Sequence, residues 1–271
     1  DYYQTIDRAI TDGTGRYEFN GLVDGRYTVK VLPLKYDLME QTQLVEINTQ
    51  TVRGQGGGTS LEMRDFYLQP RKGSLDDAEA SVVFAQDVPK GARKAFENAV
   101  ALFPKKKRPE AMAGLRDAIV LFPDYFHALS RLGRELAVEE KYGEAFPLLM
   151  KACDINPKSP TALYYLGYTL FKLKYYPAAL VALTQAQVLS PSSFPVLWTL
   201  GAVERQEKKF ADAEKHLTQA KKLLKTSMPD LSFELALLYR DLGKYREAAS
   251  ELESFLKARP DAKDAVQIRK L

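Results

Sequence analysis

Prolines recur at a fixed interval in the second half of the chain. Pro123, Pro157 and Pro191 lie 34 residues apart, and Pro260 follows 69 residues later, which is two intervals and one inserted residue. Small and apolar residues keep the same interval in four further sets: Ala111, Ala145 and Ala179; Leu115, Leu149 and Leu183; Ala118, Ala152 and Ala186; and Gly133, Gly167 and Gly201. A period of about 20 to 50 residues indicates structural units stacked in a row, so this part of the chain is predicted to be a repeat array.

Within each repeat, the apolar spacing indicates two short amphipathic helices. Leu163, Leu166 and Leu170 follow the spacing i, i+3, i+7, which places them on one helical face. The second helix ends before Pro191, because proline cannot continue a helix. Small residues such as Gly167 let the two helices approach closely. A single helical pair cannot bury its own apolar face, so successive pairs are predicted to pack against each other.

This pattern resembles the tetratricopeptide repeat, whose motif positions are occupied here by Leu163, Leu166, Gly167, Leu170, Ala179, Leu183, Ala186 and Pro191. The resemblance implies an all-α, right-handed solenoid of five units, at residues 92–125, 126–159, 160–193, 194–228 and 229–262. The first unit departs from the motif by having Ala99 in place of glycine, and the fourth has Lys225 in place of the closing proline. Residues 263–271 are predicted to begin a capping helix.

The front of the chain has a different pattern, in which apolar and polar residues alternate. Residues 16–19, 26–31, 43–47 and 61–68 are predicted strands, and glycines between them indicate turns. Alternation implies one buried and one solvated face, which is typical of an antiparallel sandwich.

Residues 11–29 resemble carboxypeptidase regulatory-like domains, through a run of matching positions: Thr11, Asp12, Gly15, Arg16, Tyr17, Phe19, Gly21, Leu22, Gly25, Arg26, Tyr27, Thr28 and Val29. The resemblance covers roughly residues 8–70 and implies a transthyretin-like β-sandwich. Such domains open with two further strands that this sequence does not contain, so the antiparallel sandwich is predicted to be incomplete. The predicted organisation is a sandwich at residues 1–70, a linker at 71–90, five helical units at 91–262 and a cap at 263–271.

In tetratricopeptide arrays the first helix of each unit lines a concave groove. The resemblance implies a partner-binding groove at the matching positions of this sequence. Its lining residues would be His127, Ser130, Arg134, Tyr164, Tyr168, Phe171, Trp198, Arg205, Phe233, Leu237 and Arg240. Aromatic residues and arginines are the side chains that most often anchor interfaces, and an apolar helix or extended peptide would suit such a groove. The alternative is that several of these aromatics only pack between units.

The groove positions differ from those of the members that bind chaperone tails. Those members clamp a C-terminal carboxylate with lysine and asparagine, whereas this sequence has Ser130, Tyr164 and Trp198 at the fifth position and Arg134, Tyr168 and Ala202 at the ninth. A carboxylate-tail partner is therefore not expected.

No catalytic residue, metal site or cofactor is predicted. The two histidines, His127 and His216, are far apart and have no cysteine or carboxylate at metal-ligand spacing. Cys153 follows Ala152 on a packed second helix and is predicted to be a buried, inert thiol. The basic run at residues 105–108 is interpreted as an exposed turn. Basic (39) and acidic (35) residues are interspersed, so nucleic-acid binding is not expected, and no apolar run is long enough to span a membrane.

The sequence therefore predicts a non-catalytic scaffold that binds a protein or peptide partner. Sandwiches of the resembled type occur mostly in exported bacterial proteins, so we expect an extracytoplasmic location. An incomplete sandwich exposes a strand edge, which a second copy would complete by donating its N-terminal segment and so form a filament; the exchange candidates are Tyr2, Tyr3, Thr5, Ile6 and Ile10. Two alternatives stay open: glycan binding or envelope anchoring through Tyr17 and Tyr27 with the repeats as spacer, and a catalytic accessory subunit.

Overall fold

The computed structural model describes residues 6–7, 9, 17–31, 41–47, 64–66, 75, 84–224 and 228–259. The chain divides into two compact units, Asp1–Gln69 and Pro70–Leu271. The predicted capping helix at 263–271 and the exchange candidates Tyr2, Tyr3, Thr5 and Ile10 lie outside the described residues.

In the first unit, the described residues form one antiparallel sheet of two strands, β1 (Gly25–Val31) and β2 (Gln41–Ile47). Gly25 lies opposite Ile47 and Val31 opposite Gln41. Exposure alternates along both strands as the sequence predicts, with Val45 buried and its neighbours Leu44 and Glu46 exposed. The predictions of strands at 26–31 and 43–47 are confirmed.

The predicted β-sandwich is not formed by the described residues. Tyr17–Phe19 and Arg64–Phe66 lie in two of the other predicted strands, yet neither is a strand. Side chains hold these segments together where ladder hydrogen bonds were expected. The Tyr17 hydroxyl donates to the Arg64 carbonyl oxygen at 2.8 Å, and the Tyr17 ring meets the Phe66 ring edge-on with centroids 5.9 Å apart.

The second unit forms ten helices within residues 84–224 and 228–259. They are α1 (Lys90–Val100), α2 (Arg108–Leu121), α3 (Phe126–Val138), α4 (Tyr142–Ile155), α5 (Pro160–Lys172), α6 (Tyr176–Leu189), α7 (Phe194–Gln206), α8 (Phe210–Leu223), α9 (Pro229–Asp241) and α10 (Tyr245–Ala258). Short turns join them, so the two helices of each pair run in opposite directions. The five predicted helix pairs are confirmed, and the fold is a tetratricopeptide-like all-α solenoid.

The turn inside each of the first four pairs contains a non-glycine residue in the left-handed region. Lys106, Glu140, Lys174 and Lys208 have φ between 58° and 65°, and Gly243 takes the same place in the fifth pair with φ of 72°. The next residue's N–H then bonds to the carbonyl five residues earlier, which satisfies the end of the first helix. The 34-residue period is thus also a period of helix-ending turns.

Three glycines let the first helix of a pair touch the second. A Cβ at Gly133, Gly167 or Gly201 would lie 2.5 to 2.6 Å from the Cγ of the leucine facing it, namely Leu149, Leu183 or Leu217. These three leucines are fully buried. The glycines are therefore required by the distance between the helices.

In the first pair the helices also approach closely, but the glycine is on the second helix instead of the first. Ala99 replaces the glycine on α1, and the small residue facing it is Gly114 on α2, where an added Cβ would lie 2.9 Å from the Ala99 Cβ. The departure of the first unit from the motif is compensated by this glycine.

We expect Gly167→Ala to lower the free energy of unfolding by about 1–2 kcal/mol. The overlap with Leu183 outweighs the gain in helix propensity that alanine brings. Gly143→Ala is the control, because Gly143 is exposed on α4 and an added Cβ meets nothing within 4 Å. Urea unfolding followed by circular dichroism measures both. Equal effects of the two substitutions would contradict a close approach at Gly167.

Candidate functional site

The predicted groove residues lie on the first helices of the second to fifth pairs. Helix α3 carries His127 and Arg134, α5 carries Tyr164, Tyr168 and Phe171, α7 carries Trp198 and Arg205, and α9 carries Phe233 and Arg240. Their surroundings divide them into two groups. One group contributes to a surface of half-buried aromatic rings, and the other contacts neighbouring side chains.

Tyrosines of α5 form the centre of the aromatic surface. The rings of Tyr164 and Tyr168 lie nearly parallel with centroids 6.1 Å apart, and Tyr165 meets Tyr164 edge-on at 4.9 Å. Tyr142, at the start of α4, meets Tyr168 edge-on at 6.1 Å. All four residues are half-buried.

Burial raises the pKa of two tyrosines of this surface, Tyr164 and Tyr168. It raises the pKa of Tyr164 far above the ordinary value, with a smaller contribution from Tyr165. Burial also raises the pKa of Tyr168, helped by its hydrogen bond with Tyr142. Tyr164 and Tyr168 therefore offer apolar ring area and neutral hydroxyl groups at physiological pH.

Two cations lie over the rings of this surface. The Arg134 guanidinium is 5.5 Å from the centroid of Tyr165. The Lys172 ammonium is 5.4 Å from the centroid of Tyr168 and 6.0 Å from that of Phe171. Such contacts favour a positive charge on the ring face, and Arg134, one of the predicted groove residues, makes one of them.

Trp198 lies on the first helix of the next pair. Its ring is half-buried and lies nearly parallel to the Phe194 ring, with centroids 5.7 Å apart. Tyr164 connects the two pairs, because its hydroxyl shares a hydrogen bond with Thr199 on α7. We call Tyr142, Tyr164, Tyr165, Tyr168, Phe171 and Trp198 the aromatic face.

Arg205 belongs to the second group. Its Nε donates to Glu234 Oε1 at 2.7 Å and its Nη1 to Asp241 Oδ2 at 3.1 Å, and only 12% of its side chain is exposed. Burial lowers the pKa of Arg205, but Glu234 and Asp241 together raise it above the ordinary value. The guanidinium thus stays charged and joins α7 to α9, which leaves it little freedom to meet a partner.

The predicted groove residues of the last pair also contact their own neighbours. The Arg240 Nη2 pairs with Asp241 Oδ1 at 2.9 Å. The Phe233 ring packs on the buried Phe255 ring of α10 with centroids 5.3 Å apart. At Phe233 the structure supports the alternative that the side chain packs between helices, whereas Arg240 is exposed and pairs with its neighbour on the same helix.

His127 is exposed at the start of α3 among four aromatic rings. Its ring centroid is 5.0 Å from Phe126, 6.2 Å from Phe96 and Tyr125, and 6.4 Å from Phe84. Phe84 comes from the segment that precedes α1. Sequence reasoning missed this contact because that segment carries no periodic signal.

Sequence reasoning also missed Tyr142 and Tyr165. Tyr142 follows the turn and so falls outside the first-helix positions that the resemblance carries over. Tyr165 is not one of those positions either. The clustering of tyrosines at 164, 165 and 168 was the signal available in the sequence.

The remaining candidates take structural roles. His216 Nδ1 and Glu204 Oε2 lie 2.7 Å apart in a buried contact between α7 and α8. Within the described residues no group of three or more histidines, cysteines and carboxylates could hold a metal ion. Lys105 and Lys106 are exposed in the turn after α1, whereas Arg108 pairs with the buried Glu135.

The two tyrosines considered for glycan contact are engaged within the first unit. The Tyr17 hydroxyl bonds to the Arg64 carbonyl oxygen, and the Tyr27 hydroxyl donates to the Val23 carbonyl oxygen at 2.6 Å. In the part of the chain that the structure describes, no helix is long and apolar enough to cross a membrane.

Comparison with known proteins agrees with the helical architecture. A family model described as tetratricopeptide repeat matches residues 233–266. No curated protein matches the chain significantly.

Solved structures with the same fold cover about two thirds of the chain. One is YrrB, described as a TPR protein with an unusual peptide-binding site, which is 22% identical over 66% of this chain and 92% of its own, with a TM-score of 0.57. Another is MamA of Desulfovibrio magneticus, with 17% identity over 65% and 99% of the two chains and a TM-score of 0.56. A third is pilF of Pseudomonas aeruginosa, with 16% identity over 67% and 82% and a TM-score of 0.57. At these identities the likeness shows the fold, and the helical part of the chain is a tetratricopeptide-type repeat array.

Proposed function

We propose that the protein is a non-catalytic scaffold that binds an apolar segment of a protein partner on its aromatic face. The observation that carries the proposal is the run of half-buried rings from Tyr142 to Trp198, which crosses three helix pairs. Rings that served only the core would be buried as fully as Leu183 or Leu217. Proteins of this fold serve mostly as interaction scaffolds, and YrrB has a peptide-binding site, which supports the same role here.

The chemistry of the face favours a partner segment with apolar side chains and backbone groups that can bond to tyrosine hydroxyls. Rigid aromatic rings contribute contact area at a low cost in conformational entropy, and interface hot spots are rich in tyrosine and tryptophan. Because Arg134 and Lys172 already lie over the rings, an acidic residue in the segment would meet a positive charge at either position.

A random peptide library displayed on phage and selected on the full chain tests this proposal. We expect enriched peptides to bind the wild type and to lose at least tenfold in affinity with Tyr168→Ala or Trp198→Ala, as residues at the centre of an interface do. Tyr175→Ala is the control, because Tyr175 is 61% exposed and lies outside the aromatic face. Enriched peptides that tolerate both face substitutions as well as the control would contradict the proposal.

We also propose that the first unit lets copies of the chain assemble, and that the protein works outside the cytoplasm of a bacterium. Ile6, Val23 and Leu44 are 71%, 74% and 77% exposed, and apolar side chains at such exposure favour a partner surface. Strand donation by residues 2–10 of a second copy, extending into a filament, fits the two-stranded sheet. The location rests on the resemblance of residues 8–70 to exported domains, and fractionation of the producing cells tests it.

Sedimentation velocity of the full chain measures the assembly. We expect species larger than the monomer that grow with concentration, and a shift toward monomer with Leu44→Lys, because lysine replaces an exposed apolar side chain that a second copy would cover. Thr28→Lys, at the position opposite Leu44 in the register, is the control for charge alone. A wild-type chain that stays monomeric at all concentrations would remove self-assembly from the proposal.

A further inference from the structure

The segment before α1 contacts helix pairs far beyond the helix that it leads into. Leu75 is 8% exposed and packs in a cluster with Leu163 of α5, Ala186 of α6 and Val196 of α7. Tyr164 of the aromatic face packs against the same cluster. A connection that only led into the first pair would have no contact with the third and fourth.

A second anchor of this segment lies on the second pair. The Phe84 ring meets the Phe126 ring edge-on with centroids 4.9 Å apart and lies 6.4 Å from His127. Phe84 also packs against a buried cluster that includes Leu129 and Ala162. The segment thus contacts His127, one of the residues predicted to line the groove.

Gln86 fixes this anchor through its side-chain amide. Its Nε2 donates to the Asp124 carbonyl oxygen at 2.5 Å, and its Oε1 accepts from the Phe126 N–H at 3.1 Å. Phe126 is the first residue of α3, where backbone N–H groups have no partner within the helix. Tyr125, which precedes it, provides no side-chain cap. Gln86 therefore provides the hydrogen-bond acceptor that the first N–H group of α3 lacks, as a bound peptide could.

We propose that Leu75 and Phe84–Val88 are an intramolecular ligand of the repeat array, and that a protein partner of the aromatic face must displace them. The ligand class is a peptide with a leucine and, nine residues later, phenylalanine-x-glutamine. Phe84 and Gln86 are only half-buried, so the contact is open to competition. The displacement step rests on the proposed function, whereas occupancy of the site by this segment does not.

Tethering explains how such a contact stays occupied. A segment joined to its site by a short chain has an effective concentration on the order of millimolar. A free peptide of the same sequence will therefore compete poorly with it, unless the anchors of the tethered copy are removed.

A fluorescent peptide of residues 70–89 tests the occupancy in anisotropy titrations with the full chain. We expect Leu75→Asp/Phe84→Asp, with the same helical circular dichroism as the wild type, to bind the peptide at least tenfold more tightly than the wild type does. Ala85→Asp adds a charge at an exposed position of the same segment and should behave like the wild type. Binding of wild type and double variant with equal affinity would overturn the proposal.

The single cysteine supplies a second readout if the double variant does not fold. Cys153 is half-buried and packs against both the Leu75 cluster and the Phe84 cluster. Burial, with a smaller contribution from Asp154, raises its pKa to about 12, so the wild type should react slowly with a disulfide reagent at pH 8. We expect Phe84→Ala to raise this rate at least tenfold and Ala85→Asp to leave it unchanged. Equal rates for all three proteins would also overturn the proposal.

Peptides selected on the aromatic face separate the two proposals. If displacement occurs, these peptides bind Leu75→Asp/Phe84→Asp more tightly than the wild type. Equal affinities would overturn displacement and leave the binding face intact. If the selected peptides do not bind the aromatic face, while the peptide of residues 70–89 still binds the double variant more tightly than the wild type, only the proposed function is overturned.

Discussion

The contact between a glycine of one helix and a leucine of the next is the constraint on which the solenoid depends. At Gly167 and Leu183 there is no room for a single additional carbon, so the two helices cross at a fixed distance. The same contact recurs at Gly133 and Gly201, so the second, third and fourth pairs are built alike. The buried leucines are close-packed and leave no space between the two helices of a pair.

The same packing decides which side chains remain for binding. Residues such as Arg205 and Glu234 join neighbouring pairs through short ion pairs, and their functional groups are thereby occupied. The rings of Tyr168 and Trp198 lie on first helices at positions that the glycine–leucine contact does not bury, and each keeps part of its surface exposed. The side chains available for binding are thus those that remain exposed after the helix pairs have packed against each other.

The period of the sequence predicted the helical architecture because each repeat is a local unit whose apolar residues serve the same contacts. It assigned Tyr168 and Trp198 to the first helices of their pairs for the same reason. It could not show that Arg205 is engaged, because Glu234 and Asp241 lie in the next pair and a positional motif contains no pairing between units. The compensation of Ala99 by Gly114 and the contact of Leu75 with α5 have no periodic signal. In the first unit, alternation identified β1 and β2, but the contacts of Tyr17 are made by side chains that alternation does not encode.

Acrylamide quenching of Trp198 fluorescence tests most directly whether the aromatic face is accessible. Trp198 is the only tryptophan of the chain, so the signal comes from a single residue of the face. The account predicts clear quenching in the folded chain, weaker than in the urea-unfolded chain, because the ring is half-buried against Phe194. If acrylamide does not quench the emission of the folded chain, the Trp198 ring is fully buried. This result would contradict an accessible aromatic face.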